Sequence, residues 1–426
     1  MSTCPYPPPA HVEPKALTSD QVSVSSCRDG CQRTFFFCPA CRQANRTLAR
    51  YCRSCGHTVS FQGSDLAAEN QFSIDNFNEK GYSYSLTGYG IGEVRVLKSY
   101  RGYLFVVGET GLLVFDVHSP AEALAGPLRS PLGGEFLGVS VYRDSDDEVL
   151  LVTTSKGVFQ VSLIDLALPN QRQTLESVYV SQPSRFVSHE AIAIAGRVYV
   201  LEHENVRPKS WLTCIPDGLV TEFEQISRPP VAVDGDRLFF FTERQVFLYE
   251  CQSGKLINTK SSDLLAARPP AYDAEANTVF MVGEAKLWRM ELSGESPLLA
   301  PLSTLRPLQG ASIAAKANRL FVAHLGGITI LDMFGTKKWD SEYKAASDGL
   351  PPQVFGNLFS LTLAGERFGR IVRIHQVDDP DKSKDTQFTD ASLLCPPLFA
   401  LGRMFVAAGD QLSVYDFRSR GEKAGA

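Results

Sequence analysis

Tyr103-Leu-Phe-Val-Val-Gly108, a short break and Leu112-Leu-Val-Phe-Asp116 decide the fold of this chain. Val, Leu, Phe and Tyr crowd both runs and a turn separates them, so the phrase reads as two antiparallel strands. It recurs at Val149-Leu-Leu-Val-Thr153 with Gly157-Val-Phe-Gln-Val161, at Gly196-Arg-Val-Tyr-Val-Leu201, and at Arg237-Leu-Phe-Phe-Phe241 with Val246-Phe-Leu-Tyr-Glu250. Further copies are Thr278-Val-Phe-Met281 with Leu287-Trp-Arg-Met-Glu291, Asn318-Arg-Leu-Phe-Val322 with Ile328-Thr-Ile-Leu-Asp332, and Leu358-Phe-Ser-Leu-Thr-Leu363. Arg403-Met-Phe-Val-Ala407 with Leu412-Ser-Val-Tyr-Asp416 is the eighth. Taking Leu104, Leu150, Val198, Leu238, Val279, Leu320, Leu358 and Met404 as equivalents, the steps are 46, 48, 40, 41, 41, 38 and 46. A period near 40 made of short β runs marks propeller blades.

Solenoids of paired helices share that period, but 33 Gly and 25 Pro interrupt the chain too often for them. The expectation is an all-β propeller of four-stranded blades: eight, or seven if the third and weakest copy is not a blade. Alternation at 112–116 and 412–416 predicts strands with one face in an inter-sheet core. The last copy stops after its third strand, and Gly81-Tyr-Ser-Tyr-Ser-Leu-Thr87 alternates without a partner ahead of the first. It is predicted to complete the last blade and remove an exposed edge. Pro-Pro pairs open four copies, at 229–230, 269–270, 351–352 and 396–397, which is unlike WD40 or kelch repeats.

The 426 residues are 44% hydrophobic and 21% charged, enough apolar material for a real core and too much for a disordered chain. Net charge is −5, unevenly spread. Residues 1–62 hold seven Lys/Arg against three acids, for +4, which leaves 35 against 44, or −9, in 63–426. A basic head on an acidic body suggests two functional parts. The opening Met1-Ser-Thr-Cys-Pro-Tyr has neither the basic start nor the apolar core of a secretory signal, and no apolar run is long enough for a membrane helix. A cytoplasmic protein without membrane contact is expected.

Seven of the ten Cys fall in the first 55 residues: Cys4, Cys27, Cys31, Cys38, Cys41, Cys52 and Cys55. Cys38-Pro-Ala-Cys41 and Cys52-Arg-Ser-Cys55 put two thiolates on each of two tight turns, which suits one tetrahedral Zn²⁺. A disulfide framework needs an oxidising compartment that the missing leader argues against. With all four positions filled by protein, the zinc is expected to be structural. The stretch from Phe37-Cys-Pro-Ala-Cys-Arg42 to Arg50-Tyr-Cys-Arg-Ser-Cys-Gly-His57 resembles the bacterial and archaeal zinc-ribbon family over residues 35–60. The resemblance implies a docking module for protein or nucleic acid. Arg42, Arg46, Arg50 and Arg53, near Phe35, Phe36, Phe37 and Tyr51, are the candidate contacts to an acidic protein or to nucleic acid. Cys27-Arg-Asp-Gly-Cys31, with Cys4 and His11, either completes a second irregular zinc site or stays unligated.

Gly111-Leu-Leu-Val-Phe-Asp116, Tyr249-Glu-Cys-Gln-Ser-Gly-Lys255 and Gly327-Ile-Thr-Ile-Leu-Asp332 with Trp339 resemble the quinoprotein-type (PQQ-like) propeller repeat over roughly 90–420. The family's blade-locking Trp late in each repeat occurs here at Trp339 alone, and the adjacent-cysteine pair of the quinone-dependent dehydrogenases is absent. The resemblance implies shared architecture without the cofactor.

No P-loop, nucleophile elbow or His-Glu-x-x-His helix occurs. Gly88-Tyr-Gly-Ile-Gly92 leads into a strand pattern and reads as a turn. The seven His are scattered singly. Asp144-Ser-Asp-Asp-Glu148 reads as a solvated hairpin tip, and Asp379-Pro-Asp-Lys-Ser-Lys-Asp385, with two lysines inside it, as a loop rather than a calcium site. The layout expected is a Pro/Ser-rich arm at 1–34, the ribbon at 35–62, a linker at 63–80 and the propeller at 81–426. The function expected is a non-catalytic adaptor in which ribbon and propeller each dock a macromolecular partner. The alternatives are a hydrolase or carbohydrate-active site in the propeller mouth with the ribbon as targeting module, or nucleic-acid binding through the ribbon. Carboxylates or His clustered about the axis would favour the enzyme.

Overall fold

Each of the eight phrases forms the middle of its own antiparallel meander, and the meanders are the eight blades of a propeller. The computed structural model describes residues 74–417, short connecting segments excepted, and three strands nearer the N-terminus. Blades 1 to 7 occupy residues 94–128, 136–180, 185–224, 231–261, 271–303, 312–342 and 353–388. Blade 8 takes 398–416 and completes itself with residues 82–85. First strands of neighbouring blades touch one another around the axis, and fourth strands lie at the rim. The landmark residues all sit in second strands and are at most 3% exposed. The weak third copy is a full blade whose innermost strand is in two pieces, Arg185–Val187 and Ile192–Ile194, both paired with Arg197–Glu204.

Alternation carries a different meaning from the one expected. Leu112–Asp116 is buried on both faces. Leu113 and Phe115 pack against blade 8, while Leu112 and Val114 pack against blade 2. In the last blade, Leu412 and Val414 face blade 1, and Tyr415 faces blade 7. Period two here sorts side chains between two inter-blade cores, because a middle strand has a blade on either side of it.

The ring closes as the sequence suggests. Tyr82–Ser85 runs antiparallel to Gln411–Asp416, with Ser85 opposite Gln411 and Tyr82 opposite Val414. Ser83 Oγ and Ser413 Oγ lie 2.9 Å apart, and the Leu86 N–H donates to the Asp410 carbonyl at 2.7 Å. Packing starts further upstream, within the stretch expected to be a linker. Ile74 and Phe77, 0% and 7% exposed, enter the core between blades 7 and 8. Asp75 and Glu79 pair with Lys382 and Lys384 of blade 7 at 2.6 and 3.2 Å.

Inter-blade polar contacts recur at equivalent places. Arg197, Arg237, Arg319 and Arg403 each open a second strand. Each donates to the carbonyl just after the third strand of the next blade: Cys251, Leu292 (3.2 Å), Val377 (3.0 Å) and Val117 (2.6 Å). Arg289 reaches the equivalent carbonyl of Met333 at 3.4 Å. Trp339 Nε1 donates to Asp381 at 3.1 Å across blades 6 and 7, so this Trp does lock its blade. Arg403 bridges the seam between the last blade and the first, and Arg403→Met is expected to cost about 1.5 kcal/mol, the lower end for a charge-assisted hydrogen bond. An unchanged urea midpoint would contradict that role.

Near the N-terminus, Ser23–Ser26, Gln32–Phe37 and Ala44–Arg46 form a three-stranded antiparallel sheet with Ser23 opposite Phe35 and Phe37 opposite Ala44. Its first strand falls in the stretch expected to be an arm.

Candidate functional site

Cys38, Cys41, Cys52 and Cys55, with Arg42, Arg50 and Arg53, lie outside the described residues, as do Cys4, His11, Cys27 and Cys31. Arg46 ends the strand Ala44–Arg46. It pairs with Phe35 in the register that sets Phe37 opposite Ala44. Among the described residues no three His, Cys, Asp or Glu are grouped to hold a metal. Cys214, Cys251 and Cys395 are buried thiols in inter-blade cores. Desolvation pushes Cys251 up to about 11 and Cys395 up to about 12, which keeps them as unreactive thiols.

The channel wall carries an ion pair that nothing in the sequence pattern announces. Lys98, on the innermost strand of blade 1, donates to the Val139 carbonyl of blade 2 at 3.0 Å and to the Glu190 carboxylate of blade 3. Glu190 comes from the four residues that separate the two pieces of blade 3's innermost strand. It lies across blade 2 at Gly138, where a Cβ would stand 2.4 Å from its Oε2. Burial pushes the Glu190 carboxyl above the usual range, and Lys98 only partly offsets this.

The two side chains keep 41% and 24% exposure, so Lys98→Met is expected to cost about 1–3 kcal/mol near neutrality, less than breaking a fully buried pair. Without Lys98 the folded-state pKa of Glu190 rises further. Stability tied to the protonated acid is complete below the unfolded value of ~4.3 and is lost as pH rises through the folded one. The variant's deficit should therefore grow from pH 4.5 to pH 7.5. Equal urea-midpoint deficits at both would contradict the pair.

One face of the ring carries the turns between first and second strands and between third and fourth. The other carries the connections into each innermost strand. On this second face Arg95 of blade 1 pairs with Glu109 at 2.7 Å and with Glu135 ahead of blade 2. Across the ring, the innermost strands of blades 5, 6 and 7 border a cavity of about 340 Å³ lined in part by Pro269, Pro270, Tyr272, Lys316, Pro351 and Gln353. Two of the four Pro-Pro pairs are in this lining. All four immediately precede innermost strands, Val231–Val233, Ala271–Asp273, Gln353–Phe355 and Leu398–Ala400. An inner edge has no neighbouring strand, so a residue lacking an N–H leaves no donor unpaired there. The lining mixes Pro, Ala, Ile and Val with Tyr272, Ser312, Lys316 and Gln353, apolar and polar in similar measure, which suits a partner's protruding side chain.

Among the described residues no histidine lines that cavity. His375 is fully buried, stacked on Phe359 with ring centres 4.7 Å apart and bonded to the Pro380 carbonyl. His203, on a second strand, meets the His189 ring edge-on, while the adjacent Glu190 turns to Lys98. The acidic segments serve blade contacts. Glu148, expected to be solvated, is 4% exposed and accepts the Tyr100 hydroxyl of blade 1 at 2.9 Å. Asp385 holds Arg373 through two bonds of 2.6 Å, and Asp381 holds Trp339. Gly88–Gly92 is the turn expected: a 3₁₀ turn, Thr87–Tyr89, leads from the closing strand towards blade 1.

No protein-family model and no curated protein sequence matches the chain. Among solved structures, BamB from Moraxella catarrhalis is similar with a TM-score of 0.52 at 14% identity, over 76% of this chain and 96% of that one. The C-terminal WD40 domain of Sif2 aligns with a TM-score of 0.52 at 12% identity, over 77% of this chain and 100% of that one. The likeness is one of fold. It agrees with the β-propeller built above and carries no activity with it.

Proposed function

We propose that this chain is an adaptor whose propeller docks one macromolecular partner at the channel mouth and whose zinc-folded head docks another. The observation that carries the reading is the Pro-lined cavity between the innermost strands of blades 5–7, a concave surface on a rigid ring. A propeller of this kind fits a scaffold role. The inner wall supports the same reading: Glu190 is paired with Lys98, and on the second face Glu109 and Glu135 share Arg95. For the head, Cys38, Cys41, Cys52 and Cys55 are the zinc ligands we assign, and the spacing of the two Cys-x-x-Cys pairs supports the assignment. A four-thiolate set closes the coordination shell, so the metal supplies folding and no chemistry. Arg42, Arg46, Arg50 and Arg53 give the head its grip on an acidic protein or a nucleic acid.

Quantitative co-purification of the full chain beside residues 74–426 tests the division. The shorter chain should keep the partner of the propeller and lose that of the head. Loss of every partner with the head would refute docking by the propeller.

A further inference from the structure

The rim of a propeller presents eight outer strands whose free edges invite unwanted pairing, and proteins blunt such edges with Lys, Pro, bulges or short length. Seven of the eight here are blunted. Blade 1's outer strand contains Pro120 and Pro127 and breaks register, and blade 5's contains Pro301 and breaks register. Blades 2, 4 and 6 also break register, the last two with lysines at their edges. Blade 7 has Lys384, held by Glu79, and blade 8 has four residues. Leu219–Glu224 of blade 3 keeps an unbroken six-residue register with Lys209–Ile215 and contains neither Lys nor Pro.

Its side chains are those of a strand awaiting a neighbour. Leu219 and Val220 are 54% and 53% exposed, and Leu256 on the next blade's outer strand is 37% exposed. Phe223 turns into the core with blade 4, so alternation puts Leu219 and Thr221 on that side and Val220, Glu222 and Glu224 on the other. Lys209 bonds Glu222. Glu224 lies opposite the same Lys209 in the register, so one lysine faces two carboxylates. We infer that Leu219–Glu224 is a docking edge that a partner protein extends with a strand alternating basic and apolar residues. The basic side chains would lie over Glu222 and Glu224, and the apolar ones over Leu219 and Leu256. A second copy of this edge would bring carboxylates together, which disfavours self-pairing.

The probe is a labelled octapeptide alternating Lys and Val, titrated into the full chain by fluorescence anisotropy. A block peptide of the same composition and an alternating Glu–Val peptide are the controls. The alternating Lys–Val peptide should bind at least about tenfold more tightly than either control, one 1.4 kcal/mol step. Val220→Lys, at an exposed position, should weaken it by a similar factor with unchanged melting. Glu224→Lys, which reverses a charge under the basic side chains, should weaken it at least as much. Hydrogen exchange should slow at 219–224 when peptide binds. Equal binding by wild type and Val220→Lys, absence of binding at millimolar peptide, or equal binding of the block peptide would overturn the inference. So would a dimer of the wild type that Val220→Lys converts to monomer.

Discussion

Removing residues 1–86 is expected to leave no stable propeller, whereas removing residues 1–73 leaves its melting unchanged. The longer deletion takes away the closing strand Tyr82–Ser85 and three side chains buried in inter-blade cores, Ile74, Phe77 and Leu86. Deleting buried side chains of that size costs roughly 2–5 kcal/mol each, and the sum rivals the ~5–15 kcal/mol net stability of a typical domain. It also exposes the edge of Gln411–Asp416, so aggregation should accompany the loss. A chain starting at residue 81 keeps the strand but lacks Ile74 and Phe77, and should fold with a clearly lower melting temperature. Size-exclusion profiles and thermal melts of the three chains decide it. If the chain starting at residue 87 melts like the one starting at 74, closure does not depend on the N-terminal strand.

Cys52→Ser, or a strong chelator, is expected to remove one zinc per chain and unfold the head while the propeller melts as before. Apparent binding energies of structural zinc are on the order of 10–16 kcal/mol near neutrality, far more than so small a segment gains from its own core. Metal analysis of freshly reduced protein, with hydrogen exchange across residues 23–60, provides the readout. Iron in place of zinc would refute the assignment, and a propeller destabilised along with the head would mean that the two share a core.

Much of the fold could be read before the structure, because repetition carries it. Eight landmarks at a spacing near 40 marked eight second strands, and an unpartnered alternating run at 82–87 marked the closure. Blade 3 was faint because Ser188–Ala191 interrupt its innermost strand, and a period search penalises an insertion whatever its role. Most blade locks are arginines, not the Trp of the quinoprotein-type repeat. The signal was present as Gly196-Arg197, Asp236-Arg237, Asn318-Arg319 and Gly402-Arg403, where a turn delivers an arginine to the start of each second strand. Lys98 and Glu190 are 92 residues apart and meet because Gly138 leaves room between them. No local pattern encodes such a contact. The boundary near Gly81 rested on the strand alone, since Ile74 and Phe77 are too few to show a period.

The claim of two independent docking modules is tested most directly by salt. Solvent-exposed charge contacts weaken as the screening length falls from ~10 Å at 0.1 M to ~3 Å at 1 M, whereas apolar and aromatic contacts in a concave mouth are far less sensitive. The measurement is co-purification of wild type and a variant with Arg42, Arg46, Arg50 and Arg53 all changed to Gln, each at 0.1 M and 1 M salt. The adaptor account predicts one salt-sensitive partner that the variant loses at both ionic strengths, and a second, salt-resistant partner that both proteins retain. Identical partners and identical salt dependence in the two proteins would contradict it.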